Sequence, residues 1–238
     1  MDDDAILAEQ KRYYSARAPE YDDWWFRRGR YAHDPPHVRE GWFADQRELE
    51  TILDAFTPDG EVLELAAGTG LWTRHLVRHA TRVTAVDASP EVLALNRARV
   101  DASNVDYVVA DIFAWQPTQT YDVCFFGFWL SHVPESRFDD FWKKVAAALR
   151  AGGRVFLVDG AAQQAAHTSR QTSDERTVRT LADGREFEIV KRFWEPDDLA
   201  SRLASLGWRF AFRCSTNGHF LYGSGASERQ PSRYSSPR

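Results

Sequence analysis

The side chains best placed to do chemistry in this chain stand at the ends of apolar runs. Val62-Leu63-Glu64-Leu65-Ala66-Ala67-Gly68-Thr69-Gly70 is a strand pattern that closes on small residues and two glycines, with a helical pattern directly behind it. Small residues at such a corner let a ligand approach the backbone, and the first turn of the next helix offers N–H groups that the chain leaves unpaired. The following run ends in Val86-Asp87-Ala88, which places a carboxylate beside that corner, where it can accept both hydroxyls of a ribose. The third ends in Ala110-Asp111-Ile112, where an acid can accept from an adenine amino group while Ile112 covers the ring. Three tips in a row describe a site for adenosine with something attached.

The elements that must position these tips are legible in the pattern. Strands are expected at Val62–Leu65, Val83–Val86, Val105–Val109, Tyr121–Phe126 and Arg154–Val158. Helical stretches lie between them near Trp72–His79, Pro90–Val100 and Glu135–Leu149. Ser89-Pro90 reads as a cap followed by a first-turn proline, Pro134 precedes the Glu135 helix in the same way, and Ala151-Gly152-Gly153 reads as the turn ending that helix. Such alternation predicts right-handed crossovers and a mostly parallel sheet. Trp208–Cys214 and His219–Tyr222, joined through Thr216-Asn217-Gly218, predict an antiparallel hairpin at one edge. Before Pro58 the chain reads as helical, with breaks at Pro19 and Pro35-Pro36 and aromatic clusters at Tyr13-Tyr14 and Tyr21 to Phe26. The expected organisation is a helical cap over 1–58, an α/β domain over 59–225 with an insertion at 160–193, and a tail over 226–238.

Composition removes whole classes. A chain of 238 residues with 43% hydrophobic and 27% charged content has the make-up of one folded domain with a cap. The net charge of -5 argues against holding nucleic acid through bulk positive charge. No apolar run approaches the ~20 residues a bilayer span needs, so no membrane association is expected. Met1-Asp2-Asp3-Asp4 is acidic where a signal peptide is basic, which predicts a cytoplasmic protein. Cys124 and Cys214 sit in no metal-ligand spacing and read as core residues, so neither a disulfide scaffold nor a metal site is expected.

In order along the chain, the Glu64 to Gly70 corner, Val86-Asp87-Ala88-Ser89, Ala110-Asp111-Ile112-Phe113, Tyr121-Asp122 to Phe126 and Leu149-Arg150-Ala151-Gly152-Gly153 resemble the class I S-adenosylmethionine-dependent methyltransferases. The resemblance spans roughly Glu61 to Gly223. It implies a doubly wound, Rossmann-like, mostly parallel seven-stranded sheet with a reversed last strand in a C-terminal hairpin, and a helical N-terminal lid. By that resemblance Glu64, Ala66, Gly68 and Gly70 hold the amino-acid part of the cofactor, Asp87 and Ala88 the ribose, and Asp111 and Ile112 the adenine, with Phe126 at the fourth strand. Ala66 stands where many members have glycine. Tyr14, Tyr21 and Trp24 resemble the lid of the quinone-biosynthesis methyltransferases, where Tyr14 and Tyr21 would face the sulfonium and Trp24 the acceptor. S-adenosylhomocysteine is the implied product.

Gly68-Thr69-Gly70-Leu71-Trp72-Thr73 half fits a nicotinamide fingerprint, but Thr73 replaces its third glycine, and the Asp111 tip and the hairpin have no place in that reading. A protein that binds the cofactor without transferring a methyl is the remaining alternative. After the fourth strand, Gly127-Phe128-Trp129-Leu130-Ser131-His132 lacks the Pro-Pro corner of enzymes that methylate nucleic-acid amino groups, which points to a small, hydrophobic or aromatic acceptor. Phe128 and Trp129 are candidates for its wall, against ordinary core packing. His132 is the candidate general base, against a helix cap or a backbone contact. Arg170, Arg176, Arg179, Arg185, Lys191 and Arg192 read as a solvated face, or as partners for an anionic acceptor. A homodimer is compatible with all of this.

Overall fold

The computed structural model describes residues 3–162, 171–173 and 175–228. His167, Arg170 and most of the expected tail lie outside them. The chain enters as helix α1 (Asp3–Arg17), a short α2 (Tyr21–Trp25) and a long α3 (Pro36–Phe56). Strand β1 (Gly60–Leu65), α4 (Thr73–Leu76), β2 (Ala80–Asp87), α5 (Pro90–Val100), β3 (Val105–Val109), β4 (Tyr121–Gly127), α6 (Glu135–Ala148) and β5 (Leu149–Gly160) follow. Three short strands come next: β6 (Gln171–Ser173), β7 (Arg176–Thr180) and β8 (Glu186–Val190). The chain closes with α7 (Pro196–Ser205), β9 (Trp208–Cys214) and β10 (Phe220–Ser227).

The main sheet has the order β3-β2-β1-β4-β5-β10-β9. Strands β1 to β5 pair in parallel, and β10 runs antiparallel between β5 and β9. The chain winds outward from β1 to β3 and then returns to the other side of β1 for β4. That reversal opens a crevice at the C-terminal tips of β1 and β4, which is where open α/β sheets bind ligands.

Strand side chains alternate between two cores, as the two-residue period requires. Leu63, Leu65, Cys124, Phe126, Val155 and Leu157 pack against Phe138, Phe141, Trp142, Leu199 and Leu203 of α6 and α7. Val62, Val123, Phe125, Phe156 and Val158 pack on the other face against Trp42, Leu49, Leu53, Trp72 and Leu93. The Ser89 hydroxyl caps α5 by accepting from Val92 N at 3.3 Å, with Pro90 in the first turn.

Three details depart from the sequence reading. The helix expected over Trp72–His79 is a single turn at Thr73–Leu76. Ala151-Gly152-Gly153 does not end a helix: α6 stops at Ala148 and β5 begins at Leu149, so the glycines form a bulge, with Gly152 at φ 79° and a register shift against β4. Strand β10 continues through Ser227, into the stretch read as tail.

Residues read as a polar insertion hold a small antiparallel sheet, β6-β7-β8. Of its few apolar residues, Ile189 and Val190 are buried. Val190 packs on Ile6 and Leu7, and Leu181 and Ile189 pack on Tyr13, so α1 and this sheet form one roof over the crevice. Gln10 ties them further, its amide oxygen accepting from Val190 N at 3.1 Å and its Nε2 donating to the His132 carbonyl at 3.1 Å.

Candidate functional site

At the crevice, Asp87 ends β2 with its carboxylate accepting from Gly68 N and Ser89 N, both at 3.0 Å. Burial raises its pKa, opposed by those backbone bonds. Gly68 has φ 56°, and a Cβ built there would meet only the Ala66 carbonyl oxygen at 3.8 Å, so the turn's backbone faces open space. Gly70, at φ 86°, is tight instead: a Cβ would lie 2.8 Å from Asn96 Oδ1. Ala66 itself adopts φ 54°, a left-handed conformation that suits glycine. Asp111, at the tip after β3, accepts from Phe113 N at 2.9 Å and pairs with Lys11 of α1 at 2.9 Å.

Around these groups runs a cleft of about 100 Å³, lined by Ala66, Gly68, Asp87, Ala88, Asp111, Ile112, Phe128, Trp129 and His132, with Lys11, Tyr14 and Tyr21 on the roof side. The structure thus brings together most of the expected cofactor residues. Glu64, Gly70 and Phe126 are not in its wall. Glu64 points to the α4–α5 side of β1, where its carboxyl accepts from Thr73 Oγ1 at 2.7 Å; burial raises its pKa to about 8. Phe126 points the opposite way, edge-on to Phe141 and Trp142. Trp129, expected in the acceptor wall, packs on Phe113 on the cofactor side, centroids 5.5 Å apart.

A second cavity of about 750 Å³ adjoins the first, and the two share Tyr14, Tyr21, Phe128 and His132. Phe128 holds φ 57°, a strained value for a bulky residue, at this junction. Trp24 stands edge-on to it with centroids 4.9 Å apart. Among the described residues five cations line the larger cavity, Arg17, Arg27, Arg30, Arg179 and Lys191, against one carboxylate, Asp34. Arg27 pairs with Asp34 at 3.4 Å, and Lys191 reaches buried Asp159 at 3.4 Å and Ser131 Oγ at 2.7 Å. Arg17 and Arg179 have no carboxylate partner among the described residues, and Arg17 Nε is buried without a hydrogen bond.

His132 does not offer a free nitrogen to either cavity. Its Nδ1 lies 2.6 Å from the Val190 carbonyl, which can only accept, so Nδ1 carries the proton. Nε2 therefore accepts from the Tyr14 hydroxyl, 2.6 Å away. Burial, together with the charges of Lys191, Arg179 and Arg17, holds the imidazole pKa well below its usual value. Burial likewise raises the Tyr14 phenol well above 10, and that of Tyr21 to about 12.

Residues 62–153 match the family described as "Methyltransferase domain". The chain is 37% identical to DhpI, solved in complex with SAH, over 96% of this chain and 100% of that one, with a TM-score of 0.76. The chain belongs to the S-adenosylmethionine-dependent methyltransferases. A second DhpI complex, with SAM and HEP, superposes with a TM-score of 0.77 at 37% identity. The ubiquinone biosynthesis O-methyltransferase of Xanthomonas axonopodis pv. citri is 29% identical over 67% of this chain and 67% of its own length. That of Coxiella burnetii is 30% identical over 57% of this chain, which spans 56% of the Coxiella protein.

The methyltransferase cofactor is S-adenosylmethionine, and the crevice has the chemistry to receive it: an open backbone turn at Gly68, a buried carboxylate at Asp87 and an apolar cover at Ile112. Among the described residues no group of three or more metal-ligating side chains occurs, and no helix is long and apolar enough to cross a membrane.

Sequence reading missed most of the cationic wall of this methyltransferase. Arg17, Arg27 and Arg30 precede the recognisable motifs and meet Arg179 and Lys191 only through the roof. Of the basic run read as a solvated face or as partners for an anionic acceptor, Arg192 pairs with Glu135 and Arg185 with Asp183, and neither lines the cavity. Arg170 lies outside the described residues. His219, which belongs to no motif, does line it.

Proposed function

We propose that this methyltransferase transfers the methyl group to an oxygen of a small acceptor that already carries negative charge, a carboxylate or a phosphate-type anion. The observation that carries the reading is the wall of Arg17, Arg179 and Lys191 beside His132, at the junction of the two cavities. Guanidinium groups meet such anions bidentately, and inside a low-dielectric cavity an unpaired arginine gains most from a bound anion.

In this reading Asp87 accepts from the ribose hydroxyls, Asp111 and Ile112 hold the adenine, and Gly68 lets the amino-acid end approach the backbone. Tyr14, Tyr21 and Phe128 place aromatic rings at the junction, and a cation beside a ring face is favoured by about 0.5–1 kcal/mol. When bound, S-adenosylmethionine supplies a methyl already activated by its sulfonium, which the acceptor oxygen attacks as the thioether departs. No proton has to leave an anionic oxygen. That suits a site where both nitrogens of His132 are engaged, one on a carbonyl and the other on a phenol. His132 and Tyr14 then act as a fixed neutral wall, not as a base. The cations orient the anion and keep water from solvating it, and positioning of this kind is most of what a methyl transfer requires.

DhpI, alike over nearly the whole chain, has been solved with HEP alongside SAM, which supports a second compound sitting beside the cofactor here too. The test is calorimetric titration of inorganic phosphate into the protein saturated with S-adenosylhomocysteine. Binding should be measurable and should fall at least about ten-fold in Arg179→Gln, a loss of about 1.4 kcal/mol. Equal affinity in the variant, or none in the parent, contradicts the reading.

A further inference from the structure

Asp45 lies in α3 and is fully buried, although it is far in sequence from every motif of the cofactor site. Its carboxylate collects donors from the β9–β10 turn: Ser215 Oγ at 2.6 Å, Asn217 N at 2.9 Å, Asn217 Nδ2 at 2.7 Å and His219 N at 3.2 Å. Burial works against its ionisation, but these bonds outweigh it and hold the pKa below the usual carboxylate range. The remaining donor is Nδ1 of His219, 2.8 Å from Asp45 Oδ2. An ionised carboxylate only accepts, so Nδ1 carries the proton and the ring is held by its far edge.

The rest of the imidazole is equally constrained. Its Cε1 faces Gly41, where a Cβ would come within 3.4 Å, and the ring packs edge-on to Trp42 with centroids 5.3 Å apart. His219 lines the large cavity, its side chain only 13% exposed. With Nδ1 on Asp45 and Cε1 on Gly41, the Nε2–Cδ2 edge is what remains for the cavity. Among the described residues Nε2 has no hydrogen-bond partner. In the neutral ring with Nδ1 protonated, Nε2 is a hydrogen-bond acceptor. It stands in a wall rich in donors, Arg17, Arg27, Arg30, Arg179 and Lys191, whose carboxylate, Asp34, is engaged by Arg27.

We propose that His219, oriented by Asp45, is a specificity-determining contact of the acceptor: its Nε2 accepts a hydrogen bond from a hydroxyl that the acceptor carries in addition to its anionic group. The inference rests on the anionic reading above and adds a second point of recognition to it. A cavity of about 750 Å³ is far larger than a lone carboxylate or phosphate needs, which leaves room for a body bearing that hydroxyl. Asp45 is the positioning residue, since it touches only the ring and the turn.

The test uses matched probes, ethyl phosphate and 2-hydroxyethyl phosphate, titrated calorimetrically into the protein saturated with S-adenosylhomocysteine. The parent should bind the hydroxylated compound about ten-fold more tightly, the scale on which a polar pocket rejects an analogue lacking its partner group being at least that. His219→Phe should bind both compounds equally, at the parent's affinity for ethyl phosphate. His219→Gln, whose amide oxygen still accepts a hydrogen bond, should keep part of the preference. In Asp45→Asn the preference should fall as the ring's ¹⁵N signals lose the Nδ1-protonated pattern. A preference that survives in His219→Phe, or is absent from the parent while both compounds bind, overturns the role of His219 and leaves the anionic reading standing. Failure of both compounds to bind overturns both.

Discussion

The Tyr14 hydroxyl sits 2.6 Å from His132 Nε2, and this contact joins the roof helix to the loop after β4 at the point where the two cavities meet. The Val190 carbonyl on Nδ1 decides the tautomer of the histidine, and the Tyr14 hydroxyl takes up the lone pair that remains on Nε2. A motif-based assignment of His132 as a base therefore meets a ring that is already fully engaged.

His132 should stay neutral across the working range. Its folded pKa is depressed below the usual 6.5, so the stability it contributes is full above that value and is lost as pH falls through the folded pKa. An NMR titration of the imidazole from pH 8 to pH 5 should show a fixed Nδ1-protonated ring and no transition near 6.5. A normal titration there would restore His132 as a candidate base.

Glu64 presents the opposite sign. Burial raises its pKa to about 8, with the Asp87 charge adding and the Thr73 hydroxyl opposing. Its stabilising contribution is thus full below about 4.5 and is lost as pH rises through about 8. Glu64→Gln imitates the protonated form. Thermal melts of the two proteins should agree at pH 6, and the variant should melt higher at pH 9. A variant less stable at both pH values would show that the ionised carboxylate is needed.

Ala66 holds φ 54° at the corner that carries the cofactor turn. Left-handed backbone costs a residue with a Cβ roughly 1–2 kcal/mol, offset by the greater freedom glycine loses on folding. Ala66→Gly should therefore raise stability by about 0.5–1 kcal/mol in urea unfolding, with no loss of affinity for S-adenosylhomocysteine. A destabilised variant would mean that the methyl group packs usefully where it stands.

How much of this was legible follows from where the information lies. The crevice was, because Gly68, Asp87, Ala88, Asp111 and Ile112 each sit on a local strand–turn pattern whose period fixes which tip they occupy. Glu64, expected by resemblance to hold the amino-acid part of the cofactor, lies outside the cleft wall for an equally local reason: it alternates to the α4–α5 face with Val62, which the corner motif does not reveal. The sheet of β6, β7 and β8 escaped notice because Thr and Arg mask its few buried positions, and its fold depends on Ile6, Leu7 and Tyr13 well over a hundred residues away. The same long-range packing assembles the cationic wall. Arg17 and Arg179 belong to different roof elements and become neighbours only once α1 lies on β8. His219 depends on Asp45 across a similar distance in sequence.

The most direct test of the account is a methyl-transfer assay with radiolabelled S-adenosylmethionine against a panel of small acceptors matched in size and differing in charge. Label should pass to carboxylates or phosphate-type anions, with base-stable counts on a phosphate oxygen or base-labile counts on a carboxylate. Transfer confined to neutral phenols or amines, with the anions untouched, would contradict it.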